Sequence, residues 1–152
     1  MVTTTRTTYV APTKAGFARR IAAGAIGGLA GGIVFGVLMA MMGMLAMIAS
    51  MLGSDSVIVG LAVHLMMSIM IGIALTVTVG PVMLTSVPLS MLVGLAYGAL
   101  WWVMGPLVAM PLMLGMPLFT LDQTALFALM GHLIYGAILG VVATLMLRKR
   151  NV

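Results

Sequence analysis

Residues 60–72 read GLAVHLMMSIMIG: a single imidazole, His64, in a run otherwise free of charge and rich in Leu, Met, Ile and Gly. The same composition continues in both directions. Hydrophobic residues make up 63% of the 152, against seven Lys and Arg and two acids, and the mean hydropathy is +1.29. That balance lies far outside the range of water-soluble domains and marks an integral membrane protein. The chain has no cysteine, which removes disulfides, thiolate metal sites and cysteine nucleophiles from consideration.

The charges bound the apolar sequence. Arg6, Lys14, Arg19 and Arg20 precede it, Arg148, Lys149 and Arg150 follow it, and the acids Asp55 and Asp122 fall between. The net charge of +5 is therefore topogenic. A short basic arm without periodic pattern can touch anionic headgroups but gives no footprint for nucleic acid.

A crossing helix needs about 20 apolar residues to cover ~30 Å of hydrocarbon, and turn signals divide the interval into four. The first stretch, 16–52, ends at GSDS (53–56), where Asp55 or Ser56 can cap the next helix. The second, 56–79, stops at Gly80-Pro81, and the third, 88–115, opens at Pro88 and closes at Gly115-Met116-Pro117. The fourth, 122–147, has Asp122 as N-cap and Arg148 to Arg150 at the negative end of the helix dipole. The first is longer than one crossing requires, so it is expected to tilt or to project an interfacial turn around Phe17 to Ala22.

Four crossings bring both termini to one side, and the positive-inside bias makes that side the cytoplasm. The expected protein is all-α: a four-transmembrane-helix up-down bundle, multi-pass in a cytoplasmic (inner) or plasma membrane. A mobile Thr-rich basic tail (1–15) and a basic tail (148–152) flank a membrane domain at 16–147. The first apolar run is too long for a signal-peptide core and is expected to be retained.

The sequence also repeats itself. GGLAGGIVFGVLM at 27–39 matches VGLAYGALWWVMG at 93–105, with Gly28, Leu29, Ala30 and Gly32 returning 66 residues later as Gly94, Leu95, Ala96 and Gly98. GLAVHLMMSIMIG returns 68 residues later as ALMGHLIYGAILG, with His64 falling on His132. Two helices followed by two of the same kind imply a parallel 2+2 internal repeat about an axis along the membrane normal.

The only two histidines thus occupy equivalent places on the second and fourth helices, nine or ten residues after each helix's acid, or roughly 13 to 15 Å in at 1.5 Å per residue. Diagonal helices of an up-down bundle can bring two such side chains together. Gly60, His64, Ser68 and Gly72 form one i, i+4 stripe, and Ala128, His132, Gly136 and Gly140 its counterpart. Small residues at that spacing permit close approach, so the imidazoles are expected to face the interior.

Three functions follow. The first is a single haem b for electron transfer, with His64 and His132 as axial ligands and Gly36, Gly43, Gly98 and Gly105 making room for the porphyrin. Tyr97, Trp101, Trp102 and Tyr135 would pack around it. The placement resembles that of cytochrome b four-helix bundles, which carry histidines on the second and fourth helices and glycines on the first and third. With one histidine per helix, one haem at most is implied.

The second is Cu(I). Met39, Met41, Met42, Met44, Met47, Met51, Met66, Met67, Met70, Met104, Met110, Met113, Met116 and Met130 all fall toward the histidines' end. Thioether and imidazole together suit that ion, with His64, His132, Met66, Met70 and Met130 as candidate ligands, although methionine is also a common core filler. Proton or small-solute transport through the same His/Met-rich half, past Pro106 and Pro111, is a variant of this reading.

The third function needs no cofactor: a structural or accessory subunit of a larger membrane complex whose histidines hydrogen-bond Ser68, each other, or a carbonyl freed near Pro106 or Pro111. Its short loops offer no evident site for a soluble substrate. The internal site then comprises His64, His132, Gly43, Gly105, Ser68 and Gly136. No catalytic set is suggested, and GAIGGLAGG follows no strand, so it is no nucleotide loop. Its glycines at 24, 28, 32 and 36 form a packing seam, within the bundle or between protomers of a homo-oligomer.

Overall fold

The computed structural model describes residues 16–83 and 86–148; the tails expected at 1–15 and 149–152 lie outside them. Among the described residues every regular element is helical: α1 (Phe17–Met41), α2 (Met44–Ser50), α3 (Val57–Met83), α4 (Val87–Trp102), a π-helical segment (Val103–Ala109), α5 (Met110–Leu114) and α6 (Gln123–Leu147). Four continuous helical stretches, Phe17–Met41, Val57–Gly80, Val87–Leu114 and Gln123–Leu147, are long and apolar enough to cross a membrane.

The helix ends follow local chemistry. Ser86 accepts a hydrogen bond from the Leu89 N–H at 3.3 Å to cap α4, with Pro88 in its first turn. Asp122 caps α6 by accepting from the Ala125 N–H at 2.8 Å. At the other end of α6 the Arg19 guanidinium donates to the carbonyls of Met146, at 2.7 and 3.1 Å, and Arg148, at 3.2 Å, satisfying groups the helix leaves open and placing a cation at its negative pole.

The first stretch departs from its expected course. It is not one long helix from 16 to 52 that tilts or projects a turn at Phe17. It is divided at Met42-Gly43, because Gly43 takes a left-handed conformation at φ 70°, which favours glycine and ends the α-helical ladder. The excess length becomes α2, which packs on α3 with the Leu45 backbone carbonyl against Gly60. The second stretch runs past Gly80-Pro81 to Met83. The third changes its hydrogen-bonding pattern at 103–109 around Pro106, which has no N–H to donate. Pro111 likewise leaves the Leu107 carbonyl free, and the Phe119 N–H takes it at 3.1 Å from the following loop.

α1 is the hub of the bundle. Gly24, Gly28 and Gly32 abut Gly72 and Ser68 of α3, while Gly27 and Gly31 abut Leu139 and Tyr135 of α6. α4 meets α6 in the same manner, with Gly94 against the Gly136 carbonyl and Gly98 against the His132 carbonyl. Each pair runs antiparallel, so α3 and α6 lie diagonally and point the same way. Every described Arg sits at the end where α1 begins and α6 finishes, and both acids sit at the other. Outward faces carry exposed Ile26, Ile33, Val37, Ile58, Leu92, Leu100 and Leu145.

Candidate functional site

His64 lies seven residues into α3 and His132 nine residues into α6, roughly 10 and 14 Å from the helix starts at 1.5 Å per residue. His64 is buried and His132 partly buried. The His64 Nε2–H donates to the Gly32 carbonyl of α1 at 2.9 Å. His132 Nδ1–H donates to the Ala128 carbonyl, one turn back on α6, at 2.7 Å. A carbonyl only accepts, so these contacts place the ring proton on Nε2 of His64 and on Nδ1 of His132. Nδ1 of His64 and Nε2 of His132 are left with lone pairs.

Both imidazoles pack against the Phe35 ring of α1. Its centroid is 5.2 Å from that of His64 and 4.8 Å from that of His132, edge-on to both. Gly131 makes room for it, since a Cβ there would overlap the ring. This geometry does not fit a bis-imidazole haem: a phenyl ring packs against both imidazoles, and His64 has committed Nε2 to Gly32. The glycines assigned to a porphyrin do other things. Gly36 adjoins the His64 ring and Leu61, Gly98 packs on α6, Gly43 is the hinge before α2, and Gly105 belongs to the π-helical segment.

Ser68 is tied to the backbone of His64 and not to its ring. Its Oγ donates to the His64 backbone carbonyl at 2.7 Å, and its own carbonyl accepts the Tyr135 hydroxyl at 2.6 Å, a direct tie between α3 and α6. Gly136 serves the contact of α6 with α4. Tyr97 donates to the Ile71 carbonyl at 3.1 Å and Trp102 Nε1 to the Ala125 carbonyl at 2.8 Å, so these aromatics link neighbouring helices. The carbonyls that hold the histidines belong to Gly32 and Ala128, not to the region freed by Pro106 or Pro111.

Beside the rings is a cavity of about 230 Å³, with His64, Phe35, Ala128, His132 and Tyr135 in its inner wall and Thr120, Asp122 and Thr124 at its exposed mouth. Met39, Met44, Met47, Met51, Met67, Met110 and Met116 line it together with Trp101 and Gly105. The sequence-based ligands Met66, Met70 and Met130 do not: they are 56, 62 and 45% exposed on the outer surface. His64 and Met66 are two residues apart on a helix, so their side chains cannot share a face. The better signal was Met44, Met47 and Met51, spaced at three and four from the first residue of α2 to its C-cap.

No family model, curated protein or solved structure matches the chain.

Proposed function

We propose that the chain is a non-enzymatic, multi-pass membrane protein, an accessory subunit of a larger membrane assembly, and that the cavity beside its histidines is an internal binding site. The observation that carries the reading is the convergence of the only two histidines on one buried aromatic ring at a cavity wall. Imidazoles are expensive at membrane depth and are kept there where they serve a site.

The outward Ile, Leu and Val side chains support a hydrocarbon surround, since so much exposed apolar surface is unfavourable in water. The 2+2 repeat is supported by corresponding contacts: Gly28 on Ser68 in one helix pair, Gly94 on Gly136 in the other. Cations at one end and acids at the other favour cytoplasmic termini and a cavity opening on the opposite side. The glycine seam of α1 is filled by α3, so partner subunits meet the protein on other faces.

Cysteine scanning tests this, because the chain has no cysteine of its own. Ala128 lines the cavity at 1% exposure, whereas Leu139 is 0% exposed and lies outside it. Ala128→Cys should react with a small, membrane-impermeant thiol reagent added from the side opposite the termini, and Leu139→Cys should not. An unreactive Ala128→Cys in folded protein would sink the binding-site reading.

A further inference from the structure

We propose that the cavity holds a soft monovalent metal ion, Cu(I) or its analogue Ag(I), between a free imidazole nitrogen and the thioethers of its walls. The inference rests on the cavity being a ligand site. Its donors come from separate elements: Met39 of α1, Met44 and Met47 of α2, Met67 of α3 and Met110 of α5 line one space with both histidines.

Each histidine is oriented as ligating histidines are, with one ring N–H given to a backbone carbonyl and the other nitrogen left as a lone pair. The two carbonyls come from different helices. The free nitrogens therefore differ, Nδ1 in one ring and Nε2 in the other.

The chemistry of the donors selects the ion. No cysteine exists in the chain, and among the described residues no three His, Cys, Asp or Glu gather to hold a metal. Hard cations that want oxygen ligands have no set here, and zinc lacks thiolates or a third histidine. Thioether sulfur with imidazole nitrogen is the combination that favours Cu(I). Neutral donors in an apolar wall also suit one positive charge better than two, because the desolvation penalty of an ion grows steeply with charge. Asp122 at the mouth adds attraction for a cation on its way in, while the described arginines stand at the far end.

Methionine as mere filler predicts a different outcome, and Met→Leu separates the two because it keeps volume and removes sulfur. The purified full-length protein is titrated with Cu(I) under ascorbate against a chromogenic Cu(I) chelator. Sulfur and nitrogen scattering around the bound ion is then read by X-ray absorption. Wild type should take up one Cu(I) per chain with mixed S/N scattering. Met44→Leu/Met47→Leu/Met110→Leu should weaken binding at least tenfold, and the exposed triple Met66→Leu/Met70→Leu/Met130→Leu should leave it unchanged.

Equal affinity in the cavity triple, equal loss in the surface triple, or the absence of sulfur scattering in wild type would each overturn the metal site. If the cavity triple does not fold, Met47→Leu alone together with the wild-type scattering decides. Failure to bind Cu(I) in a protein whose Ala128→Cys variant is labelled overturns the metal and leaves the cavity reading intact. An unlabelled Ala128→Cys removes the reading beneath it.

Discussion

The Phe35 ring meets both imidazoles edge-on, and such aromatic pairs contribute about 0.5–1.5 kcal/mol each beyond simple burial. Truncation also opens a hole under two histidines, so Phe35→Ala should lower stability by about 3 kcal/mol or more. Phe35→Leu should cost under about 1.5 kcal/mol, because it refills most of the volume. Thermal unfolding in detergent measures both, and equal losses would mean that the ring fills no specific space. The histidines carry a second prediction. Nitrogen-15 shifts should show the Nε2–H tautomer at His64 and the Nδ1–H tautomer at His132, and identical tautomers would contradict the carbonyl contacts. The inward face of each histidine was legible in the sequence, because the i, i+4 pattern of small residues acts within a single helix. Phe35 was not, because its place against both rings depends on the register of α1 against α3 and α6. The run of glycines at 24, 27, 28, 31 and 32 that ends in Phe35 and Gly36 was the one sign that a lone bulky group would project there.

At the scale of the element, two glycines that look alike in the sequence do opposite jobs. Gly43 has a φ of 70° and nothing within 4 Å of an added Cβ, so Gly43→Ala meets only backbone strain, about 1 kcal/mol. An alanine at 28 would instead push its methyl into the Ser68 carbonyl, a backbone atom that cannot step aside. Gly28→Ala should therefore cost more, about 2–3 kcal/mol, and should separate α1 from α3. Comparing the two melting temperatures checks the order; a Gly43 variant that is the worse of the pair would refute it. Turn residues marked the helix limits well, since Asp122, Ser86 and Pro88 act through bonds to their own neighbours. The break at Gly43 was invisible for the reason that apolar residues continue on both sides of it. The π-helical segment was only half visible: Pro106 and Pro111 announced a disturbance, but the carbonyl that Pro111 frees at Leu107 is answered by Phe119, eight residues beyond Pro111.

For the whole molecule, in the membrane reading proposed above, hydropathy decides that helices cross and charge decides which way they face, and these are separable. The described cations, Arg19, Arg20 and Arg148, lie at one end, and Asp55 and Asp122 at the other. Arg19 also holds the α6 terminus through three hydrogen bonds, so Arg19→Gln should loosen that end without turning the protein over. Exposed charge–dipole contacts of this kind contribute about 0.3–1 kcal/mol, too little to undo the helix pair. Orientation responds to the lysine and arginine balance of the short loops. Neutralising Arg6, Lys14, Arg20, Arg148, Lys149 and Arg150 as well, and placing lysines at 54–56, should move the C-terminus to the opposite side. A C-terminal reporter that is active on one side of the membrane only would then change state in the charge-shifted variant and stay as wild type in Arg19→Gln. Inversion by Arg19→Gln alone would show that its contact with α6, not the sum of charge, sets the topology.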